Sequence, residues 1–397
     1  MNPEHPYEGI KVVDLSQGIA GPYCAMLLAQ HGADVIKVEP LQGDWARALG
    51  TPVSDHTEFS FIGSLGKRSL ALDLKSNEAP KIIDALVANA DVFFEGFRPG
   101  VIDRLGFGHQ RLMALNSKLI YVSISGFGQT GPLRDKPAMD PVLQAFTGFM
   151  MDNTGNDGIP HRAPTVINDM STAMYAFSAV APALHAVHDG FPGRYLDVSL
   201  MQGAANLSGI RIMTASHREL DRAGAPPSGI HETEDGWLQL VIIKKDDFQT
   251  LCDLMGFMDL KADPGLQNLP GRMEQSEQLR ARFAPAFLEK PAIYWREMFT
   301  EAGLQNEVLQ SFEQFIEHPH VSETELFTYL ELAGLPRPLP MANLPGLPNF
   351  VPGTATAHSP VTGQHSNEIL RELGYDHDAI AGLRRRGFIT TWSAPSV

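Results

Sequence analysis

Residues 9–39 read Gly9-Ile10-Lys11-Val12-Val13-Asp14-Leu15-Ser16-Gln17-Gly18-Ile19-Ala20-Gly21-Pro22-Tyr23-Cys24-Ala25-Met26-Leu27-Leu28-Ala29-Gln30-His31-Gly32-Ala33-Asp34-Val35-Ile36-Lys37-Val38-Glu39. A short β-branched run, Lys11–Leu15, precedes a helical pattern, Pro22–His31. A second such run, Asp34–Val38, follows it. Strand, helix, strand in that order requires a crossover and so parallel strands. The alternation continues through further runs at Asp91–Glu95, Leu119–Ser125 and Tyr195–Leu200. Helical patterns separate them at Glu78–Asn89, Arg111–Asn116, Met139–Phe149 and Met170–His188. The runs are apolar without alternation, as strands covered on both faces are. The first two hundred or so residues therefore predict a doubly wound, mostly parallel α/β sheet.

The texture changes at Ala223–Gly229, where glycines and prolines read as a linker. A strand is expected at Trp237–Ile243, with helices at Asp247–Met255, Glu274–Leu288 and Ile293–Ala302, which makes a smaller α+β domain. The proline-rich stretch Leu335–Pro360 reads as an extended return segment rather than a packed element. Two short helices, Asn367–Leu373 and Asp378–Arg386, end the chain. The expected division is thus a large domain over 1–222, a small domain over 223–334, and a return over 335–397 that completes the large domain.

Of 397 residues, 43% are hydrophobic, which is ordinary for a globular chain and too rich for a disordered one. Acids exceed bases, 46 to 31, for a net charge of −15. That excludes general nucleic-acid binding, which needs a basic surface, but leaves room for one phosphate-bearing ligand held locally. With only Cys24 and Cys252 there is neither a disulfide framework nor a four-cysteine zinc site. This usage fits a reducing compartment, and the cytoplasm is expected. Residues 1–6 lack the marks of a signal peptide, and no apolar run is long enough to cross a membrane.

Four groups of residues invite a chemical reading. Gly126-Phe127-Gly128-Gln129-Thr130-Gly131 matches G-x-G-x-x-G after a strand. However, Pro132 and Pro137 follow where a helix should open, so the dinucleotide reading fails. What remains is either a glycine loop over an active site or a plain surface loop. Asn168-Asp169 stands before the Met170–His188 helix. Asp169 is either its N-cap or a nucleophile kept ionised by the helix dipole, and the local sequence does not decide between them. His185 and His188 share a helix face without the spacing of a metal site, and no metal is expected. Cys24 lies early in its helix, where a thiol pKa can drop, though a small core residue is the simpler role. Last, Lys67, Arg68, Lys75, Arg98, Arg104 and Lys136 fall near predicted strand ends, where bases hold phosphates or merely face solvent.

The opening quoted above resembles that of the class III CoA-transferases, the CaiB/BaiF family. The likeness continues through Gly66-Lys67-Arg68-Ser69-Leu70, Leu72-Asp73-Leu74-Lys75, Ala90-Asp91-Val92 and Phe97-Arg98-Pro99-Gly100. It extends to Ser125-Gly126-Phe127-Gly128, Gly131-Pro132, Asp140, Asp235-Gly236, His318-Pro319-His320, Leu370 and Leu373-Gly374. It spans nearly the whole chain. The resemblance implies that Asp169 is the nucleophile and that Gly126, Gly128 and Gly131 form a loop beside it. It implies CoA contacts at Ile19, Ala20, Leu72, Lys75, Phe97, Arg104 and Lys136. Where the family often carries an arginine after Glu39, this chain has Pro40, so the nucleotide end is held differently.

The implied fold is a Rossmann-like large domain built from both chain ends plus a small α+β domain, in an obligate homodimer of interlocked rings. The implied activity is acyl-CoA:carboxylate CoA transfer through an aspartyl-acyl anhydride and an aspartyl-CoA thioester. It needs no tightly bound cofactor, and its partners are a CoA thioester and a free carboxylic acid, small or dicarboxylic. The segment after Val241 lacks the glycine-rich run of formyl-CoA/oxalate members, which points away from oxalate. The alternatives are an acyl-CoA racemase of the same fold and a non-catalytic CoA-binding protein. The racemases' histidine is replaced here by Met139, which argues against the first. The retained Asp169 and glycine loop argue against the second.

Overall fold

A computed structural model describes residues 5–154, 158–217 and 226–392. Within it the chain forms two units: Met1–Ile212 with Leu326–Val397, and Met213–Glu325. The first holds a seven-stranded sheet. Its strands are β1 (Lys11–Asp14), β2 (Asp34–Glu39), β3 (Arg68–Leu72), β4 (Val92–Glu95), β5 (Ile120–Ser125), β6 (Tyr195–Ser199) and, from the far end of the chain, Ile389–Thr390. In space the order is Ile389–Thr390, β3, β2, β1, β4, β5, β6. All neighbours are parallel except Ile389–Thr390, which pairs antiparallel with β3.

The unbroken apolar runs follow from this arrangement, because successive side chains of one strand enter opposite cores. Val13, Phe93 and Tyr121 pack with Ile82, Ile83, Leu86, Ile369 and Leu370 on one face. Val12, Val92, Phe94 and Val122 pack with Cys24, Leu28, Ala173, Ala176 and Val180 on the other. That second core joins the helices Ala20–Gln30 and Ile167–His188 through small side chains. Close helix approach is what small residues permit, and it sets where Asp169 stands.

The order reverses at β1, whose neighbours are β2 and β4. A crevice forms outside the carboxyl ends of the strands at such a reversal, and ligands of open α/β sheets bind there. β3 was not evident from sequence. Arg68-Ser69-Leu70-Ala71-Leu72 has no β-branched residue and opens on a charge, so it lacks the usual strand signal. The closing strand is two residues long.

The return segment is more structured than the proline content suggests. Phe327–Leu330 and Leu339–Ala342 pair as an antiparallel hairpin that includes Pro340. Met341, Phe350 and Ala357 are buried with Met26, Phe61 and Leu65. Proline is tolerated here because the hairpin has two strands and thus only edges. This hairpin begins inside the expected 223–334 span, and the first unit resumes at Leu326.

The second unit is a three-stranded antiparallel sheet of Gly229–Glu232, Trp237–Val241 and Gln305–Val308. Helices Lys245–Met255, Ser276–Phe287 and Ala292–Glu301 supply Phe248, Phe283, Phe287, Trp295 and Phe299 to its core. Of the expected linker, residues 223–225 lie outside the described residues, and Gly229 already belongs to the first of these strands.

Candidate active site

The loop after β1, Leu15–Ile19, is held from beneath by buried charges. Lys67 Nζ donates to Asp14 at 2.7 Å and to the Pro22 carbonyl at 2.8 Å. Ser16 Oγ donates to the same carboxylate. Lys37 Nζ donates to Asp44 at 2.7 Å and to the Ser16 carbonyl at 3.1 Å. Asp44 in turn accepts from the Gly18 N–H at 3.0 Å. Arg47 is clamped by Glu39. Asp14, Lys37, Glu39, Asp44 and Lys67 are essentially inaccessible. Burial works against the Asp14 charge, but Lys67 and Lys37 outweigh it and hold the carboxyl below its usual range. Burial brings the Lys67 ammonium down to about 8 despite Asp14. Such pairs are costly to bury and costlier to break, so the backbone they hold has little freedom.

That backbone leads into the helix Ala20–Gln30, whose first residue meets the nucleophile candidate. The helix Ile167–His188 begins at Ile167 with Val166 at its cap position. Asp169 is therefore inside the first turn and is not the N-cap. The capping is supplied from another helix, Asp140–Phe146: Asp140 accepts from the N–H of Asn168 at 2.6 Å and of Asp169 at 3.4 Å. Gln144 Nε2 holds the other Asp140 oxygen at 2.5 Å.

This changes the electrostatics expected of Asp169. The positive helix end is already answered by the buried Asp140. Burial and the Asp140 charge push the Asp169 carboxyl up to about 7, while a hydrogen bond from the Ala20 N–H resists the rise. A carboxylate at that value is ionised above neutrality and weakly solvated, a state suited to nucleophilic attack.

The glycine loop opens no helix; the next helix starts only at Asp140. Its glycines have separate causes. A β-carbon on Gly126 would fall 2.4 Å from that of Ala138. Gly128 and Gly131 have φ of +92° and +84°, where side chains are strained. Gly128 donates its N–H to Ser125 Oγ at 3.0 Å. That amide is therefore already engaged, and the donor at Asp169 is Ala20 instead.

The remaining expected contacts distribute unevenly. Ile19, Ala20, Phe97 and Arg104 follow the carboxyl ends of β1 and β4, at the reversal point. Lys75 is exposed beyond β3. Leu72 is fully buried in the core, so only its backbone reaches that edge. Lys136 lies over the rings of Phe127 and Phe146, at 5.5 and 5.7 Å. Lys67 and Arg68 are not free phosphate holders, since Arg68 is paired with Asp34, Glu368 and Glu372. Cys24 is a core residue whose thiol is pushed up by burial. His318 caps the short helix Pro319–Glu323. Among the described residues no group of three or more His, Cys, Asp or Glu could hold a metal. The buried charge network was missed because its members are spread over Asp14–Lys67 and only the sheet brings them together.

The family model described as CoA-transferase family III matches residues 7–366. An acetyl-CoA:oxalate CoA-transferase of Acetobacter aceti is 35% identical over 312 residues, covering 76% of this chain and 80% of that one. A succinate–glutarate CoA-transferase of Agrobacterium fabrum is 32% identical over 394 residues, covering 94% and 96%. A CaiB/BaiF family protein from Brucella suis has a crystal structure that superposes with a TM-score of 0.79 at 25% identity, over 93% of this chain and all (100%) of that one.

Proposed function

The chain belongs to CoA-transferase family III, and on that premise we propose that Asp169 is the nucleophile of a CoA transfer between an acyl-CoA and a free carboxylate. The observation that carries this is its place: a carboxyl near neutrality in its pKa, in the first turn of the Ile167–His188 helix, against the Ala20 N–H. Asp169 attacks the thioester carbonyl, the C–S bond breaks, and CoA thiolate leaves an aspartyl-acyl anhydride. The thiolate then attacks the aspartyl carbonyl and expels the donor's carboxylate, giving an aspartyl-CoA thioester. The acceptor carboxylate attacks that thioester, releasing CoA thiolate and forming a second anhydride. Attack of the thiolate on the acceptor's acyl carbon yields the new acyl-CoA and restores Asp169. Each step exchanges one leaving group, and covalent capture divides a hard reaction into easier ones. An anionic tetrahedral oxygen forms each time, and a backbone donor stabilises it; in the two steps at the aspartyl carbonyl that oxygen is Asp169's own, and the Ala20 N–H is the donor we assign to it.

CoA enters the crevice at the β1/β4 reversal, with Ile19, Ala20 and Phe97 toward the thioester and Lys75, Arg104 and Lys136 toward the nucleotide. The glycine loop 126–131 covers the intermediate from water. The relatives' names favour dicarboxylates, so oxalate returns as an acceptor beside succinate and glutarate. The test is intact-mass analysis after incubation with acetyl-CoA or succinyl-CoA. A CoA-sized adduct on the protein, absent from Asp169→Ala, is the expected result; no adduct with any active donor overturns the reading.

A further inference from the structure

Glu95 closes β4 at the reversal point, and its two oxygens point to different partners. Oε2 accepts from the N–H of Phe97 at 2.9 Å. Oε1 accepts from the hydroxyl of Ser123 on neighbouring β5. The same hydroxyl oxygen accepts from Gln129 Nε2 at 2.8 Å, and the Gln129 backbone N–H donates to Asp197 at 3.2 Å. Gln129 lies in the glycine loop, between Gly128 and Gly131. Glu95 and Ser123 are each 1% exposed. One buried carboxylate thus ties the turn carrying Phe97 to the glycine loop. None of these three side chains has a role in the reaction as written above.

We propose that Glu95 is a positioning residue for CoA transfer: its ionised carboxylate, acting through Ser123 and Gln129, fixes the glycine loop in register with the Phe97 turn. This rests on the reading of Asp169 as nucleophile and of residues 126–131 as its cover. Ser123 has one proton. While Glu95 is ionised, that proton goes to Glu95 and leaves a lone pair of Ser123 for the Gln129 amide. Charge-assisted bonds of this kind are the stronger ones. A protonated Oε1 becomes a donor. Ser123 then accepts from both sides on its two lone pairs and turns its own proton away, so the charge-assisted bond that fixed the hydroxyl is lost and the tie to Gln129 is weakened.

The groups facing Glu95 are acidic or neutral. Asp103 comes from the helix Val101–Arg104, Asp197 and Tyr195 from β6, and Tyr121 from β5. Tyr195 is stacked at 4.2 Å on His109. Burial, aided by Asp103 and Asp197 and opposed by Ser123 and Phe97, brings Glu95 up to about 7. The tie therefore loosens in the pH range where Asp169 also takes up its proton.

The experiment compares the wild type with Glu95→Gln, which keeps the volume but cannot ionise, and with Gln129→Ala. Two quantities are read: the slope of the acid limb of kcat/KM for acyl-CoA, and free CoA released without acceptor relative to transfer at pH 8. The wild-type limb approaches two protons, one for each carboxylate. Both variants reduce it to one and raise the hydrolysis share about fivefold or more, with transfer about tenfold slower, since misplacements near 1 Å cost up to about a hundredfold. Wild-type slope and ratio in Glu95→Gln overturn the proposal. So does a wild-type ratio in Gln129→Ala, which would leave Glu95 acting on Phe97 alone. Should Glu95→Gln not fold, the Gln129→Ala slope and ratio decide. The intact-mass adduct separates the two readings: its absence from the wild type removes the Asp169 mechanism, whereas its presence with unchanged variants removes only the role of Glu95.

Discussion

At Asp169 two influences oppose each other: burial beside Asp140 favours the protonated acid, and the Ala20 N–H favours the anion. The balance near 7 means that kcat/KM for acyl-CoA falls below that pH by at least tenfold per unit, readable from a pH–rate profile. Asp169→Ala abolishes exchange, because no neighbour can form the anhydride; turnover within tenfold of wild type would contradict this. The sign for stability is the reverse of the usual carboxylate case. A raised carboxyl pKa stabilises the fold fully below the unfolded value of 3.8, and that contribution is lost as pH rises to about 7. Asp169→Asn therefore melts a few degrees above wild type at pH 8, with the gap narrowing toward pH 5. Lys67 behaves oppositely. Lys67→Met strands Asp14 in a fully buried site and costs about 3–5 kcal/mol in denaturant unfolding. At this scale the sequence shows candidates but not their setting. Asp169 reads equally well as a cap, since nothing local reveals that Asp140, 29 residues earlier, already takes that role.

Among the elements, the glycine loop carries the sharpest expectation. Gly128 has open space around it but a φ of +92°, so Gly128→Val fits sterically and strains the backbone. It also disturbs the bond from its N–H to Ser125. The expected outcome is transfer slowed while the share of acyl-CoA lost to hydrolysis rises, because exclusion of water is the role proposed for the loop. Free CoA released without acceptor, beside product thioester, gives the ratio; an unchanged ratio makes the loop a connector only. The elements most legible in the sequence are β1, β2, β4 and β5, whose apolar runs are largely buried on both faces, and the edge strand β6, where Asp197 is exposed. β3 was hidden by its composition, and the hairpin of Phe327–Leu330 with Leu339–Ala342 by its prolines. β3 is placed by β2 and by Ile389–Thr390 at the far end of the chain, and the hairpin, though it pairs locally, packs on Met26, Phe61 and Leu65, which are distant in sequence. The charged segment Gly66–Lys75 illustrates the cost: read as a source of phosphate ligands, it supplies a strand and the buried partner of Asp14.

For the molecule as a whole, the chain leaves the first unit at Ile212 and rejoins it at Leu326. The interlocked homodimer that the family resemblance implies remains our proposal, in which a second copy is threaded through only before folding is complete. The surface is consistent with a second copy. Met151 and Met174 are 68% and 54% exposed, and Tyr175 is 43% exposed. Interlocked rings predict a specific kinetic signature. Dilution to nanomolar concentration leaves the sedimentation coefficient at the dimer value, with no folded monomer at any concentration. Two differently tagged preparations, mixed under native conditions and left for days, yield no heterodimer, whereas refolding them together from denaturant does. Heterodimer formation without unfolding would show that the subunits pack face to face and come apart, and the threaded arrangement would fall.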